Sequence, residues 1–208
     1  MPAATGGLAF GVIMMMMTMA VVMVGRCEGS FDLTLMHTGQ TFAQVTAVDL
    51  LNSPCVPLAN GTYVSASGFD PCLGGMDRRK TLIDRTRATA QNSLLIDSGG
   101  LFTGSLFWYL YNSTILTKYY RDLGYEAIGL SLYEFFSQVP ALTHFIKHMD
   151  GTPVVAANLE NWQVDPRFAN ETVYAYAVFN FTGGQKVGYA VTLVPHIATM
   201  FTDSYPIN

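Results

Sequence analysis

Residues Phe31 to Gly39 alternate apolar and polar side chains and then meet a glycine, the period-two signature of a strand that ends in a turn. From 45 to 75 the periodicity is lost among Gly, Pro, Ser and Asn, which reads as a long loop. Met76 to Ala90 sets Leu82, Ile83 and Thr86 on one side and charges on the other, predicting a helix. Ser93 to Gly100 is a buried strand running into glycines. A helix is predicted over 112–124, with Gly124 as its C-cap, then a strand over Glu126–Leu130. A third helix follows over 137–151, with Pro140 near its first turn, and then a strand over Pro153–Glu160. Two β-rich runs, 171–181 and 185–195, flank Thr-Gly-Gly and predict a hairpin. Strands alternating with helices make a mainly parallel sheet covered on both faces, an α/β fold.

The first 29 residues stand apart. Leu8 to Val24 is an uncharged apolar run of 17 residues, followed by Cys27-Glu-Gly29 with small residues at the positions a signal peptidase reads. The expected organisation is a signal peptide over 1–29 and one domain over 30–208. A retained membrane anchor is the rival, so contact with a membrane is expected only if this leader stays. Removing the leader removes Cys27 and leaves Cys55 and Cys72, which can pair in an oxidising compartment and staple the 45–75 loop. Asn60, Asn112, Asn170 and Asn180 each begin an Asn-x-Thr glycosylation sequence. Together these features predict a secreted, glycosylated protein.

Composition narrows the partners. Half the residues are hydrophobic, 12% are charged and the net charge is −4, so disorder is not expected, nor is nucleic-acid binding. The basic cluster Arg78, Arg79 and Lys80 reads as a solvated helix face. His144 and His148 lie four apart but lack the glutamate of a zinc protease between them, and read as an exposed face. His196 has no acidic or cysteine neighbour. Gly129 to Tyr133 lacks the closing glycine of a nucleophile elbow, which argues against a serine hydrolase. Phe107, Trp108, Tyr109 and Tyr111 read as core.

Five motifs in order carry a resemblance. LTLMHTG (33–39), CLGGMDRRKTLID (72–84), NSLLIDSGGLFTGS (92–105), LGYEAIGLSLYEFF (123–136) and PVVAANLE (153–160) are similar to successive motifs of the 5′-nucleotidase family, in its calcineurin-like metallophosphoesterase N-terminal domain. The resemblance implies a metallophosphoesterase-like sandwich of mainly parallel sheet flanked by helices, incomplete here because the chain ends at Asn208, before the family's downstream histidines and nucleoside-holding domain. In that family a pair of divalent metals, about 4 Å apart, activates water and polarises phosphate. Laid on the family pattern, the metal-ligand positions fall on Gln40, Phe42, Gly100 and Leu132, and the catalytic His and its orienting Asp on Tyr133 and Phe136. None of the six carries the expected side chain. His37, Asp97, Glu134 and Phe135 persist.

The expectation is therefore a secreted, glycosylated 5′-nucleotidase-like protein without catalytic residues or metal, a pseudoenzyme that binds an extracellular protein or small ligand not named by the sequence. The alternative is an active extracellular nucleotidase or apyrase-type hydrolase with two divalent metals such as zinc. Whether the chain is an enzyme rests between these two.

Overall fold

The computed structural model describes residues 31–68, 71–136, 139–149, 151–159, 168 and 171–193. The predicted leader, Asn170 and His196 lie outside them. The chain divides into two units, Met1–Asp32 and Leu33–Asn208, and the second contains every element below.

Four strands, β1 (Thr34–Thr38), β6 (Ser93–Asp97), β7 (Ala127–Gly129) and β8 (Val154–Val155), form a parallel sheet in that order. Thr38 pairs with Asp97, Asp97 with Ile128, and Gly129 with Val155, so the carboxyl ends of three strands come level. Between β1 and β6 lie β2 (Ala47–Val48), β3 (Cys55–Pro57), β4 (Tyr63–Ser65) and β5 (Leu73–Gly74), then helix α1 (Met76–Thr89). Helix α2 (Leu106–Leu123) joins β6 to β7, and α3 (Leu132–Phe136) and α4 (Val139–His148) join β7 to β8. The predicted hairpin is present as antiparallel β9 (Ala177–Asn180) and β10 (Lys186–Tyr189).

Side chains alternate across the sheet, so its two faces carry different partners. Leu95, Ile128 and Val154 join the main core with Ile83, Leu116, Tyr120, Leu142 and Phe145 from the helices. Leu94, Ile96, Ala127 and Val155 meet Ala177 and Tyr189 of the hairpin on the other side. This is the α/β sandwich of a mainly parallel sheet and flanking helices that the sequence predicts.

Several local readings change. The loop over 45–75 contains two small antiparallel pairs, β2 with β5 and β3 with β4, and the Cys55–Cys72 disulfide joins them with a Cα separation of 6.1 Å. Leu82 is 66% exposed, and the inward stripe of α1 is Met76, Arg79 and Ile83 at helical spacing. Helix α2 starts at Leu106, earlier than predicted, because Ser105 caps it by accepting a bond from Trp108 N. Asn112, where the sequence predicts the helix start, is instead a break inside it (φ 53°, ψ −148°). Trp108 is buried, but Tyr109 and Tyr111 are exposed and are not core. The strand predicted over Pro153–Glu160 shortens to Val154–Val155.

Candidate functional site

Open α/β sheets place their chemistry beyond the carboxyl ends of the strands. Here three loops leave those ends: residues 39–43 after β1, 98–105 after β6 and 130–131 leading into α3. They are bound to one another by backbone. Gln40 N donates to Gly99 O at 2.7 Å, Phe42 N to Gly100 O at 2.9 Å and Ala43 N to Leu101 O at 2.7 Å. Gln40, Phe42 and Ala43 sit at φ of 51°, 48° and 53°, left-handed conformations that non-glycine residues adopt at a cost.

Glu134 secures the third loop. It is wholly buried, and its carboxylate accepts from Leu101 N (2.5 Å), Phe102 N (3.3 Å), Gly100 N (3.2 Å), Ser131 N (2.7 Å) and Ser131 Oγ (2.8 Å). Burial pushes its carboxyl above the usual range while the bonds from Ser131, Leu101 and Gly100 pull it back. Asp97 is the other buried carboxyl. It accepts from Thr38 Oγ1, from Tyr120 OH at 2.9 Å and from Gly99 N at 2.8 Å, and burial likewise raises it. The Tyr120 and Tyr125 hydroxyls are raised by burial too, so they stay protonated at neutral pH and act as hydrogen-bonding groups.

The six positions singled out in the sequence converge only in part. Phe42 and Tyr133 meet edge to face with ring centroids 4.9 Å apart, and Tyr133 lies 6.1 Å from Phe136. Leu132 packs against the main core. Gln40 is exposed and lies against Gly100: a Cβ built on Gly100 meets Gln40 Cα at 2.8 Å and Cγ at 3.0 Å. Among the described residues no three His, Cys, Asp or Glu side chains gather as metal ligands do. Both nearby carboxylates, Asp97 and Glu134, are already engaged by protein donors.

A cleft of about 490 Å³ opens beside these loops, lined by His37, Thr38, Gln40, Thr41, Ser98 and Arg79. Sequence reasoning missed Arg79 by reading it with its solvated neighbours. The signal was its spacing from Met76 and Ile83, which puts it on the buried stripe. Glu134 was visible as a retained residue, but its role in tying three loops needs tertiary contacts to be seen. His144 is half-buried and bonded through Nδ1 to Ser113 Oγ at 3.0 Å, so only His148 fits the exposed face expected of the pair. Asn60, Asn112 and Asn180 are exposed.

This geometry has counterparts. The calcineurin-like phosphoesterase YfkN of Bacillus subtilis overlays with a TM-score of 0.58 at 22% identity, over 84% of this chain and 52% of that one. The fold is thus that of the calcineurin-like phosphoesterases. Within that class the chain is related to the 5′-nucleotidases. A 5′-nucleotidase precursor from Thermus thermophilus overlays with a TM-score of 0.65 at 30% identity, covering 80% of this chain and 29% of that one. By sequence, the snake venom 5′-nucleotidase of Gloydius brevicauda is 29% identical over 161 residues, 77% of this chain and 25% of that protein. An apyrase of Tabanus yao is 26% identical over 159 residues, 76% of this chain and 26% of its own. The chain therefore spans about a quarter of the length of the curated relatives it matches. No family model matches it.

Proposed function

We propose that the chain is a secreted, glycosylated, non-catalytic relative of the 5′-nucleotidases that acts by binding an extracellular protein or small ligand. The observation that carries this reading is the Phe42–Tyr133 ring contact at 4.9 Å, between one position where the resemblance calls for a metal ligand and another where it calls for the catalytic histidine. Divalent metals of this class need carboxylates, imidazoles or amide oxygens converging in space. Two aromatic rings in mutual contact offer none. Gly100, at the position of the bridging carboxylate, has no side chain, and Gln40 has closed over the space one needs. The donor set does not fit a two-metal centre, and no hydrolytic step through such a centre is assigned to this chain.

Export rests on the leader pattern and the disulfide, and glycosylation on three exposed sequons among the described residues. No helix among the described residues is long and apolar enough to cross a membrane. The competing reading, an active extracellular nucleotidase or apyrase-type hydrolase, draws on the names of the relatives alone. Elemental analysis of the purified secreted chain separates the two. The proposal expects no stoichiometric zinc, manganese or iron, and about two metals per chain, the number the family's mechanism uses, would overturn it.

A further inference from the structure

Two of the exposed sequons end rows of exposed apolar side chains. In the first segment of α2, Leu106, Tyr109 and Leu110 fall at i, i+3 and i+4 on one helix face, and all three stand in solvent. Tyr109 is 80% exposed. Asn112 follows it by three residues and breaks the helix. On β9 the outward positions alternate: Val178 and Asn180 share one exposed face, and Tyr176, 64% exposed, leads into them. Neither Tyr109 nor Tyr176 stacks on another ring or hydrogen-bonds a protein group through its hydroxyl among the described residues.

Soluble surfaces ordinarily intersperse charges among such residues. Here there are none: no Asp, Glu, Lys or Arg occurs between Ser98 and Thr117, or between Thr172 and Gln185. Contiguous apolar surface left without polar cover marks a place that something occupies. What each row has in place of charge is the sequon at its end. Asn112 Oδ1 accepts from Ser113 N at 2.7 Å, which fixes the amide, while Nδ2, the atom that carries a sugar, meets no protein acceptor among the described residues. The break at φ 53° and ψ −148° takes Asn112 out of the regular helix, and backbone outliers of this kind gather at functional positions. Thr114 and Thr182, the hydroxyl residues of the two sequons, are exposed as well.

We propose that N-linked glycans on Asn112 and Asn180 fold back over the aromatic rows that precede them and form their cover. The inference rests on the glycosylated reading above and deepens it by giving two of the sugars a place and a task. A pyranose ring is apolar on the face where its C–H bonds point and polar around its edge, so it can lie on a tyrosine ring with its hydroxyls still in water. Helical rise places Tyr109 only about 5 Å from Asn112 along the axis. Along β9, Tyr176 lies about 13 Å from Asn180, with Val178 between them. Both spans are within the length of a branched glycan core. Neither row is then free to dock a partner protein or a second copy while its sugar is attached.

Hydroxyl-radical footprinting of the chain, expressed in a eukaryotic host that attaches N-glycans, reads this cover directly, with oxidation located residue by residue in a mass spectrometer. Both sequons are expected to be occupied. Tyr109 is expected to react several-fold faster in Asn112→Gln than in the parent, with Tyr176 unchanged. Tyr176 is expected to do so in Asn180→Gln, with Tyr109 unchanged, so each variant is the control for the other. If either variant fails to fold by circular dichroism, Thr114→Ala or Thr182→Ala removes the same sugar and leaves the asparagine in place. Occupied sequons with unchanged tyrosine reactivity overturn the cover and leave the glycosylated reading standing. Empty Asn112 and Asn180 in a chain that carries sugar at Asn60 do the same. A chain with no sugar at any of its four sequons overturns both. Tyrosines that stay protected after the sugar is removed, in a chain that sediments as a dimer, overturn the cover in favour of a second copy on those faces.

Discussion

At Gly100 the backbone sits at φ +78°, and an added Cβ lands 2.8 Å from Gln40 Cα. Both facts oppose any side chain there, including the aspartate that the family resemblance calls for. Gly100→Asp is therefore expected to destabilise the chain by roughly 1–3 kcal/mol, the usual cost of a non-glycine residue forced into a sparsely populated region, and to add no metal binding. Thermal unfolding together with elemental analysis checks both parts. A variant as stable as the parent would mean that the loops are looser than their hydrogen bonds suggest. Glu134 makes the complementary case. Replacing it by alanine strips acceptors from Gly100, Leu101, Phe102 and Ser131 at once, and a loss on the order of 3 kcal/mol is expected in denaturant titration, since each orphaned buried donor costs about 1–3 kcal/mol. A loss below about 1 kcal/mol, the worth of a single ordinary hydrogen bond, would show that Glu134 does not tie the loops together.

Among the elements, the segment between β2 and α1 depends least on the main core and most on local devices. Its disulfide closes a separation of 17 residues, so reduction or Cys72→Ser is expected to cost about 3 kcal/mol. Asp49 organises the same segment: its carboxylate accepts from Ser65 Oγ at 2.5 Å, from Ser67 Oγ, and from Leu51 N and Ser53 N at 2.8 Å each. The hydrogen bonds from Ser65 and then Ser67 hold its pKa down at about 2, below the ordinary 3.8. A lowered folded pKa means that its stabilisation is present above 3.8 and is lost as the pH falls toward 2. Asp49→Asn should accordingly unfold more easily than the parent at pH 6, and the gap should close by about pH 2. An unchanged gap across that range would contradict the assignment. The alternating run of β1, the glycines after β6 and the Cys55–Cys72 pairing were all legible in the sequence, because each is a local pattern with one structural outcome. The start of α2 was not. Leu106 to Tyr111 is apolar on all sides, so periodicity gives no helix signal there, and only the Ser105 cap and the packing of Trp108 define it. The inward face of α1 was misread for a related reason: Leu82 looks like core, yet the neighbouring elements receive Arg79 and Ile83.

For the whole molecule, the sheet order β1-β6-β7-β8 and the level strand ends bring loops from distant motifs together: Phe42 and Tyr133 meet ring to ring, residues 40–43 pair with 99–101 through their backbones, and Leu132 packs against the core. The sequence made the substitutions visible. It did not make visible how the loops are tied to one another, which takes the Glu134 carboxylate and the paired backbones of residues 40–43 and 99–101. The central claim is that the phosphoesterase fold persists here without phosphoesterase chemistry, and phosphate release from AMP tests it most directly. The chain, incubated near neutral pH with zinc or magnesium, is expected to release no phosphate above the uncatalysed background. Metal-dependent release that saturates with AMP and disappears on chelation would contradict it.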